Sequence, residues 1–303
     1  MPNVADLIGR IDPAKPVLLA GPTASGKSEL ALAIAQAQSR AIVNADALQV
    51  YDCWRVLSAR PDASDLARAP HFLYGHQGFA ADYSVGAWLR EVAQHLTRDP
   101  RPIIIGGTGL YFAALTEGLT DIPSVPSDLR DRADALRAHS FAGMAADLTA
   151  RDPQTAAHID MVNPMRVQRA WEVLEATGKG LRAWQLQTPP PLLALGATTP
   201  LVMRGPADIL ENRLTERFDL MLDQGALDEV RAVLPIWDAN RPAARAIGAP
   251  ELVSYLKGEC SLDESRDRAV IATRQFAKRQ RTWFRSRMKD WQTVQFPMGT
   301  SHI

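Results

Sequence analysis

The chain has 303 residues, which is long enough for one large domain or for a core domain with an insertion. Apolar residues make up 46% and charged residues 22%, a globular composition, so we expect disorder only in the last few residues after Trp291. The N-terminus resembles no signal or transit peptide, and the apolar runs are too short to cross a bilayer. Two cysteines, Cys53 and Cys260, cannot form a zinc site alone or a disulfide framework. We therefore expect a cytoplasmic protein with no membrane partner.

The formal net charge of zero conceals a basic segment near the C-terminus. Between Arg266 and Lys289 there are nine basic residues and one acidic residue, Asp267. That segment carries a charge of +8, so the rest of the chain carries −8. A basic stripe on an otherwise acidic protein is typical of a protein that binds a polyanion such as a nucleic acid.

The first half of the chain alternates short apolar runs with helical patterns. Such alternation indicates βαβ units and an α/β fold with a parallel sheet flanked by helices. The predicted elements are strands at Val17–Ala20, Ala41–Asp46 and Arg101–Gly106, and helices at Glu29–Gln38 and Val85–Thr97.

Between the first strand and the first helix lies a phosphate-binding turn. Gly21–Ser28 fits the pattern G-x-x-x-x-G-K-[ST] at every fixed position. Its glycines let backbone N–H groups converge on phosphate oxygens at the positive end of the helix dipole. We expect Lys27 to reach the terminal phosphate and Ser28 to bind Mg²⁺. The predicted phosphate-binding residues are Gly21, Thr23, Ala24, Ser25, Gly26, Lys27 and Ser28.

Two polar residues follow other strands of the predicted sheet. Asp46 ends its strand at the edge that faces the ligand crevice of open α/β sheets. Its carboxylate could bind magnesium, act as a general base or cap the next turn. Thr108 lies among three glycines, which either permit close approach of the backbone to a ligand or form a tight turn. On this evidence a kinase or an ATPase remains an alternative.

From about Leu115 the pattern changes, since residues 127–186 have helical spacing and no strand-like run. A last predicted strand, Leu201–Arg204, is followed by further helices. We therefore predict a P-loop NTPase-like α/β core (residues 1–120 and 195–303) and a small all-helical insertion domain (residues 121–194). The later helices are predicted around Ile209–Gln224, Leu227–Leu234, Pro250–Leu256 and Leu262–Met288.

Five segments carry distinctive motifs: Gly21–Ser28, Asp46–Tyr51, Gly106–Tyr111, Arg166–Ala170 and Lys278–Arg285. Taken together, their order and spacing resemble the bacterial tRNA dimethylallyltransferases over roughly residues 15 to 290. The resemblance implies transfer of a dimethylallyl group from dimethylallyl diphosphate to the exocyclic N6 amine of the adenosine beside the anticodon. It also implies Mg²⁺ as cofactor and the tRNA anticodon stem-loop as partner, and we expect a monomer.

The resemblance also implies roles for individual residues. Asp46 would act as the base, and Thr108 would position the reacting groups. Arg217, or else Arg213 one helical turn earlier, would join Lys27 in binding the diphosphate. The insertion domain would contact tRNA. The residues expected to bind tRNA are Asp46, Ala47, Leu48, Gln49, Thr108, Arg166, Val167, Gln168, Arg169, Ala170, Arg245, Lys278, Arg279, Gln280, Arg281, Trp283 and Arg285.

Three other functions fit part of the sequence. A small-metabolite kinase would explain Gly21–Ser28 but not the basic C-terminal helix. An RNA-binding protein with a vestigial nucleotide site would not need the intact Lys27, Ser28 and Asp46. An enzyme that prenylates free adenine nucleotides would need neither the helical insertion nor the arginine-rich helix. We therefore favour tRNA as the substrate.

Overall fold

The computed structural model describes residues 4–296. They form two units, a core unit (residues 4–116 and 193–296) and a helical unit (Glu117–Leu192). Within the described residues, no helix is long and apolar enough to cross a membrane.

The core unit is built on a parallel sheet with the strand order β3-β2-β4-β1-β5-β6. Strands β1, β2 and β4 are buried along their whole length, as expected for a parallel sheet covered on both faces. The strands are β1 (Val17–Ala20), β2 (Ile42–Asn44), β3 (His71–Phe72), β4 (Ile103–Gly106), β5 (Thr199–Arg204) and β6 (Gln292–Gln295).

The register of the sheet brings three loops to one edge. Ala20 at the end of β1 pairs with Gly106 at the end of β4, and Asn44 at the end of β2 pairs with Ile105. Because the strands are parallel and neighbouring, the loops that follow them emerge together. This edge therefore carries the predicted phosphate-binding turn, Asp46 and Thr108 side by side.

Two strands were not predicted from the sequence. β3 has only two residues, too few for a periodic pattern. β6 corrects the expectation that the chain is disordered after Trp291 and that Leu201–Arg204 is the last strand. It pairs with β5 and buries Val294, with Phe296 buried just beyond it. The remaining part of that expectation, residues 297–303, lies outside the described residues.

The six helices predicted for the core unit are present with closely similar bounds, because their apolar residues recur at helical spacing. The helices at Val4–Gly9, Ala63–Arg68 and Gly109–Glu117 were not predicted. Short 3₁₀ helices lie at Leu195–Ala197, Leu234–Ile236 and Pro242–Arg245. The α-helices are α1 (Val4–Gly9), α2 (Lys27–Gln38), α3 (Ala63–Arg68), α4 (Val85–Arg98), α5 (Gly109–Glu117), α6 (Ser127–Arg151), α7 (Pro153–Ala156), α8 (Pro164–Thr177), α9 (Leu181–Gln185), α10 (Ala207–Asp223), α11 (Ala226–Val233), α12 (Ala249–Leu256) and α13 (Leu262–Arg287).

Apolar side chains fill both faces of the sheet. Leu19 and Ile105 pack on one face, and Leu18 and Ile104 pack on the other, because successive residues of a strand point to opposite sides. A third apolar cluster joins α10 to α13 with the segment after Asp46, including Trp54. This third cluster fixes the position of α10 and α13 beside the ligand edge of the sheet.

The helical unit has its own apolar core, formed mainly by α6 and α8. Helix α6 is kinked at Ser140, whose backbone leaves the helical conformation. Asn163 begins α8, because its side chain accepts hydrogen bonds from the N–H groups of Met165 and Arg166. The unit therefore has a core independent of the sheet.

Candidate active site

The phosphate-binding turn connects β1 directly to α2. Gly26, just before α2, has a φ of +82°, a backbone conformation that glycine adopts without strain. A side chain at Gly21 would also approach the Ser25 hydroxyl oxygen to 2.8 Å, so the tight curl depends on glycine. The turn thus presents backbone N–H groups at the start of a helix, where anions bind.

The two serines of this turn have different positions. Ser25 is buried and its hydroxyl donates to the sulfur of Met203 at 3.8 Å, so this side chain packs inward. Ser28 is exposed in the first turn of α2. Among the described residues there is no cluster of three or more His, Cys, Asp or Glu side chains that could hold a metal ion. A Mg²⁺ ion on Ser28 would therefore depend on substrate phosphate oxygens, which is how this ion commonly binds.

Asp46 is held by the side chain of buried Asn44. The Asn44 oxygen accepts the Asp46 N–H at 2.8 Å, and the Asn44 amide nitrogen donates to the Asp46 carbonyl at 2.9 Å. One carboxylate oxygen of Asp46, Oδ1, accepts the Leu48 N–H at 3.0 Å and so caps the next turn. The other, Oδ2, has no hydrogen bond within residues 4–296. Both capping and proton acceptance are thus compatible with the geometry.

Thr108 links the loop after β4 to the loop after β2. Its hydroxyl oxygen accepts the Ala47 N–H at 3.0 Å, and its own N–H donates to the Ala45 carbonyl at 3.3 Å. The hydroxyl proton of Thr108 can still be donated. The structure therefore brings Thr108 and Asp46 together, because β2 and β4 are neighbouring strands.

A cavity of about 680 Å³, including space open to solvent, lies at this edge of the sheet. Its charged lining residues are Lys27, Asp46 and Arg217, and Thr23 of the phosphate-binding turn also borders it. Leu57, Phe218 and Phe276 belong to an apolar wall of the same cavity. A cavity lined by both charged groups and apolar side chains suits a ligand with an anionic head and a hydrocarbon part.

The charges around the cavity influence one another. Burial lowers the pKa of Lys27 to about 8, with Asp46 opposing this shift and Arg217 adding to it. Burial also lowers the pKa of Arg217, again opposed by Asp46. Two cations held close together in a partly desolvated cavity favour a bound anion. Arg217 lines the cavity, whereas Arg213, one turn earlier on α10, is not among the lining residues.

The side-chain amide of Gln49, a predicted tRNA contact, already forms hydrogen bonds within the protein. Its amide nitrogen donates to the carbonyl oxygens of Ser58 (2.8 Å) and Ala59 (2.9 Å), so both amide protons are used. Only its side-chain oxygen can accept a hydrogen bond from a ligand. The segment that Gln49 holds is itself anchored by Glu229, whose carboxylate accepts backbone N–H groups from Arg55, Val56 and Leu57.

Helix α13 presents cations on one face and apolar groups on the other. Lys278, Arg279 and Arg285 are exposed, while Phe284 packs into a core cluster. At the start of the helix, Arg266 is paired with Asp219 and Asp267, so that cation is already neutralised. Within residues 4–296, the cations of α13 that lack an acidic partner therefore begin after Arg266, although the sequence count of basic residues started there.

The predicted tRNA contacts of the helical unit divide by exposure. Arg166 and Arg169 are exposed, three residues apart on α8. Val167, Gln168 and Ala170 are buried, so they are packing residues and not the tRNA contacts that the sequence predicted. Val167 and Ala170 belong to the apolar core, and the Gln168 amide donates to the Asp134 and Glu172 carboxylates. A contiguous motif on a helix necessarily mixes inward and outward residues, because only every third or fourth residue shares a face.

Gln280 was also predicted to contact tRNA, but it is buried. It is 6% exposed, and its amide bonds to the backbone of Thr23 and of Gly107, so its side chain does not lie on the basic surface. Arg245, by contrast, is exposed at the end of a 3₁₀ helix, as a contact residue requires.

The apolar wall of the cavity was missed by sequence reasoning. Phe276 precedes Gln280 by one helical turn, and Thr273 precedes Phe276 by another, so all three lie on one face of α13. That spacing was a usable signal, but a buried face of a helix looks the same whether it lines a cavity or packs in a core.

Comparison with known proteins places this site in context. The family described as IPP transferase matches residues 49–287, and the family described as isopentenyl transferase matches residues 15–74. A tRNA dimethylallyltransferase of Dinoroseobacter shibae is 62% identical over 287 residues, which cover 95% of this chain and 96% of that protein. One from a Jannaschia species is 58% identical and covers 96% of this chain and 99% of the relative.

Solved structures agree with the sequence relatives. The full-length tRNA isopentenylpyrophosphate transferase of Bacillus halodurans has a TM-score of 0.66 at 26% identity, covering 93% of this chain and 90% of that one. A eukaryotic dimethylallyltransferase, captured acting on tRNA, has a TM-score of 0.78 at 25% identity, covering 93% and 73%.

Proposed function

Because the chain belongs to the IPP transferase family, we propose that it transfers a dimethylallyl group to the N6 amine of the adenosine 3′-adjacent to the anticodon in tRNA. The donor would be dimethylallyl diphosphate, and diphosphate would be released. The observation that carries the proposal is one cavity lined both by Lys27, Arg217 and Asp46 and by apolar side chains.

In this proposal the phosphate-binding turn, Lys27 and Arg217 bind the diphosphate. Negative charge grows on the diphosphate as the bond from its oxygen to the allylic carbon breaks. Backbone N–H groups and two cations stabilise that charge. A Mg²⁺ ion, held by Ser28 and the diphosphate, would add positive charge at the same place.

Asp46 would prepare the amine. The exocyclic nitrogen of adenine is a weak nucleophile, because its lone pair is delocalised into the ring. A bond from nitrogen to the allylic carbon forms while the carbon–oxygen bond breaks, and the amine proton passes to the Oδ2 atom of Asp46. Thr108 would hold the Asp46 loop through the Ala47 N–H and donate its hydroxyl proton to a reacting group.

The exposed cations would bind the tRNA backbone. Arg245 and the basic face of α13 (Lys278, Arg279, Arg281 and Arg285) supply positive charge on the core unit. Arg166 and Arg169 supply it on the helical unit, which would contact the anticodon stem-loop. Contacts to phosphates position a nucleic acid without reading its sequence. We propose that the enzyme acts in the cytoplasm, as a monomer.

The deciding experiment incubates the protein with labelled dimethylallyl diphosphate and unmodified tRNA, with ATP hydrolysis followed in parallel. We expect label in tRNA and its loss in Lys27→Ala, because the phosphate-binding turn then lacks its cation. Absence of label together with steady ATP turnover would refute the proposal and support a kinase or ATPase.

A further inference from the structure

The side chain of Gln280 turns away from the basic surface of α13. Its neighbour Arg279 is exposed and Arg281 is partly exposed, whereas Gln280 is 6% exposed. A buried amide must find hydrogen-bond partners, because leaving it unsatisfied is costly. Its partners therefore indicate what the residue does.

Those partners belong to two different loops of the site. The oxygen of the Gln280 amide accepts the Thr23 N–H, in the phosphate-binding turn, at 3.0 Å. Its nitrogen donates to the Gly107 carbonyl, in the loop after β4, at 3.0 Å. One rigid amide group thus ties the phosphate-binding turn to the glycine loop.

The hydrogen bonds continue from Gly107 to the proposed base. Thr108 follows Gly107 in the chain, and its hydroxyl oxygen accepts the Ala47 N–H beside Asp46. The phosphate-binding turn and Asp46 are therefore joined through Gln280, Gly107 and Thr108. Each join is a single hydrogen bond or a single peptide unit.

The space around Gly107 supports the same arrangement independently. A side-chain carbon at Gly107 would lie 2.2 Å from the Gln280 amide nitrogen and 3.2 Å from Oδ2 of Asp46. The amide and the carboxylate thus converge on a residue that has no side chain. Gly107 is required because both groups occupy the space a larger residue would need.

We propose that Gln280 is a positioning residue for the transfer reaction: it fixes the distance between the bound diphosphate and the base Asp46. The inference rests on the proposed function, in which the leaving group and the nucleophile must both be held in reach of one carbon. Gln280 acts through Thr23 and Gly107. Although Gln280 lies between Arg279 and Arg281 in a basic motif, its side chain links two loops of the site.

The first test is Gln280→Met, which keeps a similar length but can neither donate nor accept an amide hydrogen bond. Gln275→Met, at an exposed position of the same helix, is the matched control. At saturating dimethylallyl diphosphate and tRNA we expect the single-turnover rate of Gln280→Met to fall by roughly 10- to 100-fold, since small misplacements of reacting groups are costly. We expect its tRNA affinity to stay within about 2-fold of wild type.

A second variant, Gln280→Glu, replaces the amide with a carboxyl group of the same shape. When protonated, this group can accept from Thr23 and donate to Gly107, whereas the ionised form can only accept. Burial raises the pKa of such a carboxyl group. Relative to wild type at each pH, the rate of Gln280→Glu should therefore fall as the pH rises through that pKa. The ratio at each pH removes changes that both proteins share, and thermal melts confirm folding at each pH.

Several results would overturn the inference. If Gln280→Met weakened tRNA binding and kept the saturated rate, Gln280 would be a tRNA contact. Equal behaviour of Gln280→Met and Gln275→Met, or a pH-independent ratio for Gln280→Glu, would exclude a positioning role. If wild type transferred no label, the proposed function would fail separately. The affinity for inorganic diphosphate would then decide, since weaker binding by Gln280→Met supports the link and equal binding refutes it.

Discussion

The two carboxylate oxygens of Asp46 have different surroundings. Oδ1 accepts the Leu48 N–H, while Oδ2 has no hydrogen-bond partner in the described part of the chain. The cap holds the carboxylate in place, and the second oxygen can accept a proton from a ligand. A substitution that keeps the cap but removes the basicity can separate these two roles.

We expect Asp46→Asn to reduce the single-turnover rate by about 10²- to 10⁴-fold, the usual contribution of a general base. Its side-chain oxygen can still accept the Leu48 N–H, so folding and tRNA affinity should change little. Rapid-quench assays at saturating substrates measure the rate, and gel shifts measure the affinity. A full single-turnover rate in Asp46→Asn would show that another group takes the proton.

The lowered pKa of Lys27 predicts that ligand binding depends on pH. Its pKa is lowered by burial to about 8, so the free protein loses this cation as the pH rises through that value. The affinity for inorganic diphosphate should therefore fall between about pH 7 and pH 9.5, as the ammonium form is lost. Calorimetry can compare wild type with Lys27→Arg, whose cation persists over this range. Parallel pH profiles for the two proteins would contradict the assignment.

Helix α13 carries the residues proposed to bind tRNA and the residue proposed to position the reacting groups on different faces. Its exposed arginines face solvent, while Gln280 and Phe284 face the protein interior. The two functions can share one helix because residues three or four apart lie on a common face, whereas adjacent residues do not.

Replacing Arg279 and Arg281 together by Ala should weaken tRNA binding and flatten its salt dependence. Each lost phosphate contact should reduce the slope of log affinity against log salt by about 0.7 to 0.9. Arg231→Ala is a suitable control, because this exposed arginine on α11 pairs with Asp228. Unchanged slopes for the double variant would show that α13 does not bind the tRNA backbone.

The segment after Asp46 depends on one carboxylate of α11. The three N–H groups that Glu229 accepts belong to the consecutive residues Arg55, Val56 and Leu57. Because Leu57 lines the cavity, this anchor shapes the apolar wall.

Glu229→Ala should lower the free energy of unfolding by about 2 kcal/mol, since it leaves backbone donors without an acceptor. It should also slow transfer, because Leu57 lines the cavity. The neighbouring Asp228→Ala removes a surface ion pair and should change stability by less than about 0.5 kcal/mol. Urea unfolding of both variants provides the comparison, and equal effects would contradict the anchoring role.

The helical unit is one continuous segment of the chain, so it can be deleted while the core unit is kept. In the core unit, the Leu193 N–H donates to the Leu115 carbonyl at 3.1 Å, so the chain ends that flank the helical unit are adjacent. Replacing residues 117–192 with a short Gly-Ser linker should leave a folded core unit that still binds inorganic diphosphate. Its tRNA affinity should fall, because Arg166 and Arg169 are removed. Undiminished tRNA affinity would show that the helical unit does not contact tRNA.

Much of the fold could be predicted from the sequence. β1 begins and ends where its apolar run does, and the long helices follow the helical spacing of their apolar residues. β6 was missed because Gln292–Gln295 is mostly polar, and an edge strand buries few side chains. Its pairing with β5 comes from backbone hydrogen bonds, which leave little trace in residue type.

The sequence by itself determined the phosphate-binding turn and the presence of Asp46 and Thr108 at strand ends, because these depend on local backbone geometry and residue type. Only the tertiary structure decided which residues of the two basic motifs face outward and which face inward. In the folded protein Val167, Gln168 and Ala170 are buried, and the Gln280 amide forms hydrogen bonds with two loops of the site. Burial and hydrogen bonding across 257 residues of sequence, as between Thr23 and Gln280, are set by packing, and no local pattern records them.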